Sequence, residues 1–154
     1  MELYRPTTWD DVYHVVDNMR EEDVDECRAG GLTAYSALSL SYESALVSYT
    51  LLTPEHVPAA ILGVQDSVLG PQFGSIWMLG TEDIAKHKVT FLKRCKPFLT
   101  ELYDKTGKEC FYNYTYSENK LHHAWLKWLG FKFIREVELP PYGFSFIEFV
   151  RLKG

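Results

Sequence analysis

Three tyrosines alternate along one short run, Tyr112, Tyr114 and Tyr116, and two histidines, His122 and His123, follow close behind. Phenols and imidazoles can give or take a proton at a reacting centre. Packing on a strand explains the tyrosines equally well, and exposure at a helix start explains the histidines. A second concentration is cationic: Lys86, His87 and Lys88, then Lys93, Arg94 and Lys96. Such side chains hold phosphate oxygens through charge-assisted hydrogen bonds, and they equally suit a solvated helix face. Thr81, Glu82 and Asp83 stand just ahead of them. These residues cap a helix and fill the positive end of its dipole, so they repel an anion placed there. Asn119 is placed to cap the helix carrying the histidines, and Asn113, opposite the tyrosines, is suited to a hydrogen bond between splayed strands. Cys27, Cys95 and Cys110 are odd in number and widely spaced, which fits neither a disulfide framework nor a zinc site. No glycine-rich phosphate loop or serine-nucleophile motif occurs.

The elements that must position these residues follow from periodicity. Leu3 to Pro6 reads as an opening strand, and Thr8 with Asp11 as a capping-box start to a helix with Val12, Val15, Val16 and Met19 on one face. Glu21 to Glu26 reads as a second helical segment, its charges on a solvated face and Cys27 inward, stopped by Gly30 and Gly31. Thr33 opens a third helix. Strands are expected over 45–52, 58–65 and 75–80. From Ile84 the spacing of Phe91, Leu92, Cys95, Phe98, Leu99 and Leu102 predicts one long helix, kinked near Lys93 by Pro97 and ended by Gly107. A strand over 110–116 and a short helix over 120–129 come next. Two strands over 131–139 and 144–152 are apolar on both faces, which predicts burial.

At 154 residues, with 46% hydrophobic and 15% aromatic content, the chain can bury a core as one domain spanning 1–154. A net charge of −5 removes the general positive potential that drives phosphate-backbone binding, so nucleic acid is not an expected partner. No run approaches the length of a membrane span, the start lacks a leader pattern, and three packed thiols fit a reducing, cytosol-like compartment.

In that order of elements, Arg5-Pro6-Thr7, Pro58 to Val64, and Asn119, Ala124 and Leu129-Gly130-Phe131 resemble the GNAT (Gcn5-related N-acetyltransferase) superfamily over nearly the whole chain. The resemblance implies an α+β fold, with a mixed sheet of about six to seven strands and helices on both faces. It implies acetyl-CoA as cofactor, with the backbone of Trp77, Leu79 and Gly80 holding the pantetheine arm like an added strand. Thr81, Lys86, His87, Lys88 and Asn119 would lie near the rest of the cofactor. Two departures stand out. The family's Arg/Gln-x-x-Gly-x-Gly/Ala phosphate loop is replaced by Thr81 to Lys88 without a glycine, and Leu126 occupies the position of the proton-donating tyrosine. Tyr112, Tyr114 and Tyr116 are the substitute acids to consider, with His122 and His123.

More narrowly, Trp77 to Thr81, Asn113-Tyr114, Trp125 to Phe131 and Phe144 to Phe149 are similar to GNAT-like proteins of tailed phages, including internal virion proteins. That likeness implies a virion or host protein as partner, in the host cytoplasm or the virion interior. The two departures favour a scaffold that binds a protein over an N-acetyltransferase with a non-standard phosphate site.

Overall fold

A computed structural model describes residues 3–154; the sequence expectations for Met1 and Glu2 lie outside them. One seven-stranded sheet, in the order β1-β2-β3-β4-β5-β7-β6, runs through the molecule. Its strands are β1 (Tyr4–Pro6), β2 (Val47–Leu52), β3 (Pro58–Asp66), β4 (Phe73–Gly80), β5 (Cys110–Tyr116), β6 (Lys132–Leu139) and β7 (Phe144–Leu152). All neighbours are antiparallel except β4 and β5, the parallel pair in the middle.

On one face lie α1 (Trp9–Asp17), α2 (Glu21–Ala29) and α3 (Ala34–Ser44). Val12, Val15, Cys27 and Leu38 pack there against Ile61 and Leu79. The opposite face carries α4 (Glu82–Lys86), α5 (Lys88–Thr106) and α6 (Lys120–Trp128), with Phe91, Phe98, Leu102 and Trp125 against Leu62, Ile76 and Phe111. Alternation along β3 and β4 delivers one residue to each cluster in turn. Thr8 and Asp11 form the expected capping box. Asp11, 2% exposed, also takes both guanidinium nitrogens of Arg5 and the hydroxyl of Thr50, which ties α1 to β1 and β2.

Two expectations are corrected. The long helix is not continuous: the chain leaves helical geometry at His87 (φ −110°, ψ 27°), so α4 and α5 are separate. The apolar period is unaffected, since Ile84, Phe91, Cys95, Phe98, Leu99 and Leu102 are all buried. β6, expected to be buried, is the sheet edge and largely exposed, with Ile134 53% accessible. Its charged residues Lys132, Arg135, Glu136 and Glu138 suit an edge that must not pair with another chain.

One glycine is fixed by close approach. Trp77 lies across β3 at Gly63, where a Cβ would come within 2.4 Å of the indole. Gly63→Ala therefore has to displace the ring, and we expect it to destabilise the fold by about 1–3 kcal/mol, measured as a lowered urea midpoint at unchanged slope.

Candidate functional site

The parallel pair β4 and β5 is in register only from Phe73 opposite Cys110 to Ser75 opposite Tyr112. Beyond these positions the strands fork. The Thr81 amide donates to the Ala59 carbonyl at 2.8 Å, and Gly80 sits opposite Ala60. By the alternation of an antiparallel ladder, Ile76, Met78 and Gly80 then turn their backbone groups away from β3 and into the fork. Such groups, withdrawn from water, need partners.

The chain supplies most of them. Asn113 bridges the opening: its Nδ2 donates to the Ile76 carbonyl at 2.8 Å, and its Oδ1 accepts from the Tyr114 amide at 2.8 Å. This is the bond between splayed strands that its position suggested. Further out, α2 spans the mouth. Asp23 Oδ2 accepts from the Gly80 amide at 2.9 Å, while the Arg20 amide donates to the Gly80 carbonyl at 2.8 Å. Three residues along the same helix, Glu26 Oε1 accepts from the Tyr116 amide at 2.7 Å and from the Thr115 hydroxyl at 3.1 Å. One carboxylate therefore serves each arm of the fork.

This overturns the reading of 21–26 as a solvated face. Glu21, Glu22 and Asp25 are exposed, but Asp23 is 1% exposed and the Glu26 side chain 16%. A signal was present: Arg20, Asp23, Glu26 and inward Cys27 fall at three- and four-residue spacing on one helical face.

α6 closes the cluster. Asn119 is fully buried at the cap position, yet its side chain makes no cap bond; its Nδ2 donates instead to Asp23 Oδ1 at 3.0 Å. Arg20 Nη1 donates to the same oxygen at 2.9 Å. His122, 12% exposed, sets Nδ1 3.8 Å from Glu26 Oε2. Burial opposes a charge on His122, but Glu26, with Asp23 behind it, outweighs burial and raises its pKa. Burial likewise opposes ionisation of Glu26, and His122 with the Tyr116 and Thr115 donors lowers its pKa on balance. The two form an ion pair wherever His122 is protonated. His123 takes no part: its Nε2 is 2.9 Å from the Tyr116 carbonyl, and burial lowers its pKa.

Inside this rim lies a cavity of about 210 Å³, walled by apolar side chains such as Leu62, Ile76, Met78, Leu99 and Leu126, with Glu26, Asn113, Tyr114 and His122 as polar members. Trp77 and Leu79 line it only by their side chains: their backbone groups pair with Gly63 and Ile61 of β3. Of the three expected to hold an added strand, only Gly80 therefore turns its backbone to the fork. The indole N–H groups of Trp77 and Trp125, both in the lining, have no partner among the described residues. Each costs about 1–3 kcal/mol unless an occupant provides an acceptor.

Of the three tyrosines only Tyr114 reaches the cavity. Burial, and then Glu148 opposite it, raises its pKa, so it stays a phenol. Tyr112 is turned to Ser67, which donates to it at 2.9 Å, and Tyr116 packs on Phe144 and Phe146. Thr81 caps α4 by accepting from the Asp83 amide. Lys86 and Lys88 are exposed at the α4–α5 junction, with His87 half-buried against Phe91. They lie outside the cavity lining. Cys27 and Cys95 line it with their thiols pushed up to about 12 by burial, and no group of residues among those described has the makings of a metal site.

No protein-family model matches the sequence, and a search of curated proteins finds no match. Solved structures do match. A GNAT-family acetyltransferase from Bacillus anthracis superposes with a TM-score of 0.73 at 10% identity, over 97% of this chain and 93% of that one. AAC(6')-Ib in complex with ribostamycin and coenzyme A gives 0.72 at 12% identity, over 97% and 92%. A phosphinothricin acetyltransferase from Sinorhizobium meliloti in complex with AcCoA gives 0.71 at 10% identity, over 98% and 88%. The chain has the GNAT fold.

The ion pair generates a prediction. A histidine whose pKa is raised on folding stabilises fully below its unfolded pKa, and that stability is lost as pH rises through the folded value; Glu26, lowered, loses its share as pH falls through its own. His122→Gln leaves Glu26 buried beside Asp23 without a counter-charge. At 3.8 Å the pair is loose, so we expect a loss of about 2 kcal/mol, below the range for a tight buried pair. Urea unfolding should show the difference between parent and variant at mildly acidic pH, shrinking as pH rises past the His122 titration.

Proposed function

We propose that this protein uses the GNAT scaffold to bind another protein and does not transfer acetyl groups. One observation carries the reading: both backbone groups of Gly80 that face the fork are already bonded to α2, through Asp23 and Arg20. A pantetheine arm added as a strand would need them. The residues at the expected phosphate site do not fit either. Thr81 spends its hydroxyl on the Asp83 amide, Glu82 and Asp83 hold negative charge at the start of α4, and no glycine lets a backbone approach an anion. Leu126, at the position of the usual acid, lines the cavity and has no proton to give. Acetyl-CoA therefore does not fit the site in the manner of the fold's enzymes. The phage-like segments named above point to a virion or host protein as the partner.

One observation favours a second reading, acetyl transfer with the phosphates held by Lys86, His87 and Lys88. The cavity between the strands remains, with Tyr114 in its wall.

Titration with acetyl-CoA separates the two. A ligand at ~100 times its dissociation constant adds about 2.7 kcal/mol of stability, so a melting curve suffices. We expect no shift and no calorimetric heat, and no turnover in Leu126→Tyr. Binding that weakens with salt and is lost in the Lys86→Ala, Lys88→Ala double variant would establish the second reading and end the first.

A further inference from the structure

Charge is divided unevenly along the chain. Residues 1–85 hold three arginines, no lysine and fourteen carboxylates; residues 86–154 hold thirteen basic and seven acidic residues. The division is −11 against +6, within the total of −5. Much of it falls on opposite sides of the sheet: residues 9–44, which form α1, α2 and α3 on one side, hold nine carboxylates and two arginines, while α5 and α6 on the other together hold seven basic residues and two carboxylates. Of the three arginines in 1–85, two are spent: Arg5 on Asp11, and Arg20, 2% exposed, on Asp23 and Glu22.

Across α1 and α3 runs a ladder of four rings. Tyr42 meets Trp9 edge-on at 4.8 Å, Trp9 stacks on Tyr13 at 6.0 Å, and Tyr13 stacks on Tyr35 at 6.4 Å with planes 5° apart. Three of the rings are accessible: Trp9 38%, Tyr13 49% and Tyr35 48%. Asp10 and Asp17, three residues before Tyr13 and four after it, share its helical face. Both are exposed, and neither has a basic partner among the described residues. Partly exposed aromatic rings with free carboxylates at their rim attract cations twice, through the ring quadrupole and through charge.

We propose that the Trp9, Tyr13 and Tyr35 ladder is a docking surface for an arginine- or lysine-rich segment of a partner protein. The side chains of that segment lie over the rings and pair with Asp10 and Asp17. This rests on the binding-protein reading above and gives that partner its chemistry. A guanidinium suits the surface best, because it stacks flat on a ring while its edge reaches a carboxylate. The spread of the site over two helices suits an extended segment more than a single side chain.

The test uses a capped peptide of alternating arginine and glycine, with its glutamate counterpart as control, followed by calorimetry on the full chain. The parent should bind the arginine peptide and not the glutamate one. Tyr13→Ser with Tyr35→Ser, which leaves every charge in place, should weaken binding at least about fivefold. Tyr13→Phe with Tyr35→Phe, which keeps the rings, should restore it. Asp10→Asn with Asp17→Asn should weaken binding and flatten its salt dependence. Melting curves show whether each variant is folded. No binding by the parent, or binding unchanged in the serine variant, would overturn the proposal. So would self-association of the chain through this face, or peptide binding that follows only total charge. Acetyl-CoA binding is read separately, so failure of the ladder leaves the reading of the cleft standing, and turnover would remove that reading whatever the peptide does.

Discussion

The parting of β4 from β5 is the constraint on which the rest of this structure turns. A parallel pair that separates after three residues leaves amide and carbonyl groups facing each other across a gap too wide to bond, in the interior of the sheet. Every unusual feature of the central region answers that need. Asn113 stands at the vertex and serves both strands with one amide group. Asp23 and Glu26 stand at the mouth, one turn of helix apart, and reach the end of β4 and the end of β5 respectively. The carboxylates of α2 thus replace the bonds that a further strand would have made.

Using carboxylates for this has a consequence of its own. An ionised side chain withdrawn from water is tolerated only when it is paired and its lone pairs are filled. Burial pushes the Asp23 pKa up, and His122, Arg20 and the Asn119 amide work against that rise; Glu26 is held in the same way by His122. Each of these partners is buried because the group it serves is. That chain of dependence fixes how α2 and α6 approach the sheet, and it explains why the most polar helix of the molecule is also the one that crosses its open middle.

How far the sequence disclosed this depends on which force placed each residue. Where burial of apolar surface decides, the period was enough: Val12 and Val15 in α1, and Phe91 through Leu102 in α5, lie where their spacing puts them. Local hydrogen bonding was legible too, as in the Thr8 and Thr33 caps. The readings that failed concern residues placed by a distant partner. The spacing of Asp23 with Arg20, Glu26 and Cys27 marks it as inward-facing, but nothing within a turn of it names Gly80 as the group it meets. Asn119 sits at a cap position and spends its side chain elsewhere. The break at His87 has no glycine or proline to mark it. β6 departs from the expected burial for a simpler reason: its second half, Glu136 to Leu139, alternates charged with apolar residues, which suits a sheet edge open to water on one face.

The same bonds bear on what the cleft can hold. A fork whose backbone groups lack partners gains hydrogen bonds by admitting an extended ligand. A fork already closed from within gains few, and has some to lose. A hydrogen bond to a charged group contributes roughly 1.5–3 kcal/mol, and displacing Asp23 from Gly80 would forfeit that and strand a carboxylate in the interior. Met78, between the bonded Ile76 carbonyl and Gly80, is the residue of β4 whose backbone the alternation still turns to the gap. One residue is a poor purchase for an arm that elsewhere must anchor phosphates beside Glu82 and Asp83. Binding energy in such a molecule has to come from its outer surface. There the charge imbalance between the two faces is unspent, whereas the charges around the fork are already paired with each other.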